Sequence, residues 1–239
     1  MNTTTKALAG SAAALLAMAV PSLAQSNDGL FSNTWTGDRS RHAVFVGVTA
    51  FTTPFEDASD FSSFPPGSST DLGNSEAISF GYNYSINDHL DFQLALGTGF
   101  TSDLDSTGAF LAAAPTLGEV DIYPPQAYLI YNFQGPNAPF RTFVGVGAGY
   151  AITTGEDPTP EARALAGPDV DFEVSDEPFL GLTFGFEQKL TDALSARFQV
   201  NYNHVSVDTV LTSSALPVPV EQTVDVNPVL VTLGVAYRF

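Results

Sequence analysis

The chain contains no cysteine, and it has only 8 Lys and Arg residues against 26 Asp and Glu in 239 residues. Without cysteine there are no disulfide scaffolds, thiolate metal sites or cysteine nucleophiles. A formal net charge of −18 argues against nucleic acid as a partner, because phosphate contacts need Lys and Arg. Charged residues make up only 14%, against about a quarter in an ordinary soluble domain. Hydrophobic residues reach 44%, which argues against general disorder, and the length allows one domain or at most two small ones.

Long hydrophobic runs are also missing, apart from a short one near the start. Residues 7–20 are apolar, and they are followed by Pro21 and by the small residues Ser22 and Ala24. This pattern predicts a secretory signal over residues 1–24, cleaved before Gln25. The run is too short to cross about 30 Å of hydrocarbon as a helix, and no later stretch reaches the ~18 residues that a membrane helix needs. The exported chain is therefore either soluble or spans a membrane as strands, after a periplasmic lead over residues 25–41.

Apolar and polar residues alternate along eight segments. In one of them, Phe198, Val200 and Tyr202 alternate with Gln199 and Asn201. A period of two predicts strands with one apolar face and one small or polar face. Each segment is about as long as a tilted membrane strand of 9–11 residues. The predicted strands are 42–51, 77–86, 90–100, 126–133, 141–152, 179–190, 194–204 and 229–239.

Alternation alone also fits a soluble sandwich, but two features favour a membrane barrel. Short connections (87–89, 134–139 and 191–193) alternate with long ones (52–75, 102–118, 153–176 and 206–226), as the periplasmic turns and outer loops of outer-membrane barrels do. The chain also ends on Phe239, in phase with Tyr237, which resembles the signal that the barrel-assembly machinery reads. We therefore predict an all-β fold over residues 42–239, namely a closed, eight-stranded antiparallel transmembrane β-barrel in the outer membrane.

Several motifs resemble those of the outer-membrane protein W (OmpW) family. They are the run Tyr123-Pro124-Pro125-Gln126, the glycine-rich stretch 139–150, Asn227-Pro228 before the last strand, and the Ala-Tyr-Arg-Phe end. Their order, and the order of long and short connections, resembles the family over nearly all of the exported chain. The resemblance implies a small eight-stranded barrel that assists passive passage of small, mainly hydrophobic solutes across the outer membrane.

The predicted inward positions can be interpreted independently of that resemblance. Many are glycine, which we expect to make room for neighbouring rings such as Phe45, Phe143 and Phe179. Polar side chains occupy others, and oppositely charged ones in a narrow lumen must pair because an isolated buried charge is costly. We therefore predict a salt-bridged plug or gate near the short turns. The polar and charged lumen candidates are Asp91, Gln93, Arg141, Glu187, Lys189, Arg197, Gln199, Asn201, Asn203 and Arg238.

Acids concentrate in the four long connections, which hold 16 of the 26 and a single base, Arg163. One interpretation is a solvated rim. The other is bridging by divalent cations to anionic lipopolysaccharide, since Ca²⁺ and Mg²⁺ prefer carboxylate oxygens. No spacing resembles a dedicated calcium loop, so no metal site and no cofactor are predicted. The expected partners are outer-membrane lipids and lipopolysaccharide, the barrel-assembly machinery and small solutes.

One pattern has an enzymatic interpretation. His204 and Ser206 would share a strand face, as the His-x-Ser of lipid A deacylases does, where histidine activates serine as a general base. The match is three residues long and lacks an acid partner, so no enzyme is predicted. Two functions remain open: an OmpW-like barrel passing small solutes, and a non-conducting structural or surface-receptor barrel with a plugged lumen and acidic loops.

Overall fold

The computed structural model describes residues 41–54, 57–58, 69–108, 111–214 and 219–239. The predicted signal segment and all of the predicted lead except Arg41 lie outside the described residues. Within the described ranges, no helix is long and apolar enough to span a membrane. The strands, in chain order, are β1 (His42–Thr52), β2 (Asp57–Ala58), β3 (Ser69–Leu72), β4 (Ser75–Ser85), β5 (Leu90–Gly97), β6 (Phe100–Thr107), β7 (Thr116–Tyr123), β8 (Gln126–Asn132), β9 (Phe140–Pro158), β10 (Asp171–Val174), β11 (Glu177–Lys189), β12 (Leu194–Thr212), β13 (Val220–Val226) and β14 (Val229–Arg238).

Eight of these strands close into a ring of antiparallel pairs. The order around the ring is β1, β4, β5, β8, β9, β11, β12 and β14, and β14 pairs back onto β1 with Val46 opposite Val235. Closure leaves no free edge, so every backbone group in the wall can find a partner within the protein, as hydrocarbon requires. The predicted all-β class and closed eight-stranded barrel are confirmed.

The two faces of the wall follow the predicted phase. Val48, Leu182 and Phe184 are among the outward side chains, and each is more than half exposed. Phe45 and Phe143 point inward and are buried. Their rings occupy the space that a side chain at Gly81 and Gly185 would need, so these glycines make room for the aromatic packing inside the barrel. The outward apolar surface is the one that a bilayer can solvate.

The long connections differ from the sequence prediction, because more than half of their described residues lie in strands rather than in loops. Strands β3, β6, β7, β10 and β13 continue five of the barrel strands beyond short breaks, and the 19-residue strands β9 and β12 continue without a break. Each of these two strands is about twice as long as one crossing of a membrane needs. The predicted strand 90–100 is wrong in one detail: it stops at Gly97 and resumes at Phe100, and Gly99 takes a positive φ of 90° between the two.

We call the part of the barrel between the short turns and these breaks the lower half, and the part beyond them the upper half. A seven-residue helix, α1 (Pro160–Ala166), packs on β7 in the upper half. Thr159 caps its N-terminus by accepting a hydrogen bond from the backbone N–H of Ala162 at 3.2 Å. Buried Ala162 belongs to a large apolar cluster that fills the upper half. The fold thus stacks two differently filled interiors inside one continuous wall.

Candidate functional site in the barrel interior

The lower half is filled by a polar network centred on Arg197 of β12. Its Nη1 donates to Oε2 of Glu187 at 3.3 Å, across the β11–β12 pair. Its Nη2 donates to Oε1 of Gln199 at 2.9 Å and to Oε1 of Gln93 at 3.2 Å. Arg197 is only 4% exposed, and its guanidinium lies 4.5 Å from the ring centroid of Phe143. Each face of this buried cation therefore meets an acceptor or an aromatic ring, as a desolvated arginine requires.

Amide side chains extend the network toward the middle of the barrel. Gln93 donates from Nε2 to Oε1 of Gln199 at 3.2 Å, and Gln199 donates to Oδ1 of Asn201 at 2.8 Å. All three side chains are buried. Because β12 presents Arg197, Gln199 and Asn201 on one face, alternation alone places them in a single column.

A second ion pair lies closer to the short turns. Oδ2 of Asp91 lies 3.9 Å from Nη2 of Arg141 and accepts a hydrogen bond from Nδ2 of Asn132 at 2.9 Å. Arg141 also donates from Nε to the backbone oxygen of Gln134 at 3.3 Å. Arg238 donates from Nη1 to Oγ of Ser85 at 3.2 Å. Sequence reasoning missed Asn132 and Ser85, although both occupy inward positions of strands that it had identified.

Lys189 is placed differently from the other charged candidates. Its Nζ lies 2.7 Å from Asp192 in the adjacent short turn, and the Asp192 side chain is 95% exposed. Lys189 lines a small cavity at the mouth of the barrel together with Arg141, Glu187 and Arg238. It therefore belongs to the rim of the lower half, whereas Arg197, Gln93 and Gln199 lie inside it and Glu187 contacts both regions.

The interior of the upper half is mainly apolar, whereas the interior of the lower half is mainly polar. The upper half encloses an apolar cavity of about 40 Å³, which we call the apolar chamber. Sequence reasoning named only Phe179 and Asn203 of this lining as inward residues, and it assigned part of the rest, such as Val174, Val207 and Val226, to loops. The sequence nonetheless indicates a strand here, since Val205, Val207 and Leu211 continue the alternation of β12. The chamber is lined by Phe51, Leu72, Val120, Ile122, Pro124, Ala151, Thr153, Val174, Phe179, Asn203, Val205, Val207, Val226, Pro228 and Leu230.

The wall between the two halves is interrupted beside the chamber. The β5–β8 ladder ends at the pair Ala95–Gln126, and the β6–β7 ladder starts at Phe100–Ile122. Between them lie Pro124 and Pro125, which have no N–H to donate to a neighbouring strand. A cavity of about 20 Å³ reaches this point and is lined by inward residues and by outward-facing Leu96. The described structure therefore has a local weakness in the hydrogen-bonded wall at the level of the chamber.

The C-terminal residues lie on the outer face at the short-turn end. Phe239 donates its backbone N–H to the oxygen of His42 at 3.1 Å, which ties the chain end to β1. Its ring stacks on those of Tyr237 and His42, at centroid distances of 6.3 and 6.1 Å. These aromatic side chains therefore form part of an exposed aromatic surface next to the seam where the barrel closes.

The outer surface of the upper half is acidic. Asp103 lies directly opposite Glu119, Glu119 opposite Asp157, and Asp71 opposite Asp105. Like charges facing each other across strands destabilise a sheet unless solvent or ions screen them. Among the described residues, no group of three or more His, Asp or Glu side chains is arranged to hold a metal ion. Of the acids in the long connections, Glu56 and Asp60 lie outside the described residues.

His204 and Ser206 do share the outward face of β12, but each contacts another residue. Nδ1 of His204 lies 2.6 Å from Oδ1 of Asn227, and Ser206 donates its hydroxyl to Asp225 on the neighbouring strand. In the described structure the imidazole is thus engaged away from the serine that it would need to activate. A general base must lie within hydrogen-bond reach of its nucleophile, so this geometry gives no support to the enzymatic interpretation.

Comparison with known proteins gives one family and several similar structures. The family model described as the OmpW family matches residues 43–239. The crystal structure of the outer membrane protein OprG from Pseudomonas aeruginosa is 21% identical, with a TM-score of 0.75, covering 85% of this chain and 98% of that one. AlkL, solved in DMPC lipid bilayers, is 16% identical, with a TM-score of 0.59 and coverage of 90% and 97%. E. coli outer membrane protein W is 14% identical, with a TM-score of 0.52 and coverage of 84% and 98%. No curated protein matches the chain.

Proposed function

Because the chain belongs to the OmpW family and forms an eight-stranded barrel of the outer membrane, we propose that it assists passive passage of small, mainly apolar solutes across that membrane. The observation that carries the proposal is the apolar chamber in the upper half of the barrel. Ligand sites are typically concave and apolar with a few polar groups, and the chamber has this composition. At about 40 Å³ the chamber must widen when a solute enters it. The apolar interior, which is enclosed by an acidic outer surface, offers apolar solutes a site away from water.

The proposed path does not run straight through the barrel. The Arg197 network fills the lower half with paired charges and amides, and an apolar solute entering it would break hydrogen bonds without replacing them. The interrupted wall beside Pro124 and Leu96 offers a route from the chamber toward the bilayer instead. In this proposal, the lower half acts as a plug and the solute leaves sideways into lipid.

A matched pair of variants on β9 tests whether the chamber lies on the path. Ala151 lines the chamber and is buried, whereas Ala148 is exposed on the lipid-facing side of the same strand. The probe is the apolar dye N-phenyl-1-naphthylamine, which becomes fluorescent when it passes lipopolysaccharide and reaches phospholipid. Cells that make the parent barrel should take up the dye faster than cells without it. Ala151→Phe should abolish most of that gain, and Ala148→Phe should retain it.

Two results would contradict the proposal. Equal dye uptake with and without the parent barrel would overturn assisted passage itself. Equal uptake by the parent and both variants would show that the chamber is not the path. Comparable amounts of folded barrel, checked by heat-modifiable migration on gels, are needed before the rates are compared.

The filled lower half also favours a second function, a non-conducting structural or surface-receptor barrel. Recordings in planar bilayers separate the two functions when combined with dye uptake. Dye uptake without ion conductance supports sideways passage above a closed plug. Absence of both supports the structural or receptor function, and open-channel conductance contradicts the plug.

The remaining partner and processing assignments are part of the same proposal. We propose that residues 1–24 are removed on export and that residues 25–41 form a periplasmic lead. The Tyr237 and Phe239 rings, exposed beside the closing seam, would serve as the signal for the barrel-assembly machinery. The outward apolar band contacts outer-membrane lipids, and the acids above it would face lipopolysaccharide through bridging cations.

A further inference from the structure

The apolar chamber has a polar floor. Oη of Tyr128 lies 3.0 Å from Oδ1 of Asn203 and 2.8 Å from Oε1 of Gln126. The three residues are at least nine-tenths buried, and Asn203 lines the chamber among otherwise mostly apolar neighbours. They lie where the polar column of β12 ends and the valines begin. The lining has two polar side chains, Thr153 and Asn203, in a cavity that is otherwise largely hydrocarbon. Because the hydroxyl of Thr153 donates to the backbone oxygen of Val174, the amide of Asn203 is the one that can serve a ligand.

The hydrogen bonds of this floor leave donors unused. The Tyr128 hydroxyl has one proton to share between two carbonyl oxygens. Its contact with Oδ1 is the one hydrogen bond that the Asn203 side chain makes with the described residues. The amide group of asparagine carries two N–H donors on Nδ2, so both remain available within the described structure. An amide N–H that faces a cavity without a protein acceptor can be satisfied by the oxygen of a ligand.

Tight packing holds the floor in position. A Cβ at Gly181 would lie 2.5 Å from Oδ1 of Asn203 and 2.6 Å from Oη of Tyr128. Glycine at this position lets the polar pair press directly against the backbone of β11. The amide of Asn203 is therefore held at a fixed point of the chamber and can select for the position of a ligand atom as well as for its chemistry.

We propose that the chamber prefers small apolar solutes that carry one hydrogen-bond-accepting oxygen, such as a ketone or an ester, and that Asn203 donates to this oxygen from Nδ2. The preference rests on the proposed function, because it needs the solute to pass through the chamber. The oxygen binds at the floor, and the hydrocarbon part of the solute packs against Val205, Val226 and Leu230. Solutes without such an oxygen leave the amide unpaired and bind more weakly.

Two dyes of nearly equal shape test this preference. They are 6-propionyl-2-(dimethylamino)naphthalene, which carries a ketone, and its 6-propyl analogue, in which a methylene replaces the carbonyl. Uptake is followed by the fluorescence that each gains in membranes, with cells lacking the barrel as background. After correction for background, the parent barrel should accelerate the ketone about fivefold more than the analogue, the ratio that one net hydrogen bond supports.

The variant Asn203→Leu should reduce uptake of the ketone about fivefold and leave uptake of the propyl dye unchanged. His204→Leu is the matched control, because His204 lies next along β12 but points outward. It should retain the parent's ratio. A ratio that survives Asn203→Leu would overturn the role of Asn203.

The measurement on the parent barrel needs no variant and separates the two proposals. If the parent accelerates neither dye, the proposed function fails. If it accelerates both dyes equally, assisted passage stands and the preference for an accepting oxygen is wrong. If Asn203→Leu fails to assemble, the ratio measured on the parent barrel still decides the preference.

Discussion

Strand β12 passes through both halves of the barrel. Its inward face is polar in the lower half and apolar in the upper half, and its outward face changes in the opposite sense. In the lower half, Arg197, Gln199 and Asn201 point inward, and Phe198 and Val200 point outward. In the upper half, Val205, Val207 and Leu211 point inward, while Ser206 and Asp208 point outward. The phase of the strand never changes.

The difference between the halves reflects the solvent outside the wall. Below the breaks the outside is hydrocarbon, so apolar side chains face outward and the interior can be polar. Above them the outside is water, and the hydrophobic effect fills the interior instead. The lower half is thus held by paired charges and amides, and the upper half by an ordinary apolar core. Each half should respond to a different kind of substitution.

The largest effect is expected from Arg197→Ala in the lower half. Removing one partner of a buried ion pair leaves Glu187 uncompensated, which should cost about 3–5 kcal/mol of stability. The measurement is urea unfolding of the barrel in lipid vesicles, together with conductance in planar bilayers, which should rise as the plug loosens. Lys189→Ala at the rim should change stability by no more than about 0.5 kcal/mol. An Arg197→Ala variant with unchanged urea unfolding and unchanged conductance would refute the plug.

Adding Glu187→Gln to Arg197→Ala sharpens that result. The double variant removes both charges, so it should recover part of the lost stability. If the two substitutions add without recovery, the ion pair is not what holds this layer together. The contact of Arg197 with the Phe143 ring would then be the interaction to examine next.

A somewhat smaller effect is expected from Leu104→Ala in the upper half. Leu104 is buried in the apolar cluster, and truncation of such a side chain costs about 2–5 kcal/mol. The loss should show as protease cleavage in the upper strands while the membrane-spanning part stays intact. Leu96→Ala is the control, because Leu96 is 60% exposed on the outer face. Cleavage that is equal in both variants would mean that the halves do not differ in this way.

A stabilising change is expected on the acidic surface of the upper half. Asp103→Asn removes one of two like charges that face each other, and relief of such a pair is worth about 0.2–1 kcal/mol. The gain in melting temperature should shrink in high salt, because salt screens exposed charges. Asp192→Asn, which removes the partner of Lys189, should give no gain. A gain independent of salt would point to a cause other than repulsion.

The smallest effect concerns acid pH at the top of the upper half. Hydrogen bonds from Ser214 lower the pKa of the Asp169 carboxyl, so the folded state favours its charged form. That contribution is present above the unfolded pKa of about 3.9 and is lost as the pH falls through the lower folded value. Hydrogen exchange of residues 160–170 should therefore speed up at low pH. In Asp169→Asn, this acid-induced step should disappear.

The barrel itself was predictable because membrane strands obey a simple rule. With lipid on one side of the wall and a narrow lumen on the other, apolar and polar residues must alternate with a period of two. The neighbours Val200 and Gln199 show this alternation. The inward placement of the lumen candidates followed from the same period. The pairing of Arg197 with Gln93 did not, because their strands are far apart around the ring and only its closure brings the two side chains together.

The upper half was missed for a related reason. Segments such as 102–107 and 205–212 do alternate, but with acids, serine and threonine outside rather than large apolar residues. Acids and glycines in long connections are typical of loops, and proline breaks at Pro124-Pro125 and Asn227-Pro228 reinforce that interpretation. Strand extension beyond the bilayer depends on neighbours that sequence alone does not identify.

By itself, the sequence determined that the chain is built from alternating strands with one oily face, because that period is a local property of the backbone. Only the tertiary structure decided how the interior divides into a polar lower half and an apolar chamber. That division arises when eight strands close a ring, since side chains distant along the chain then share one small volume. Which of them pair, and which leave a donor such as the Asn203 amide unused, is a property of that shared volume.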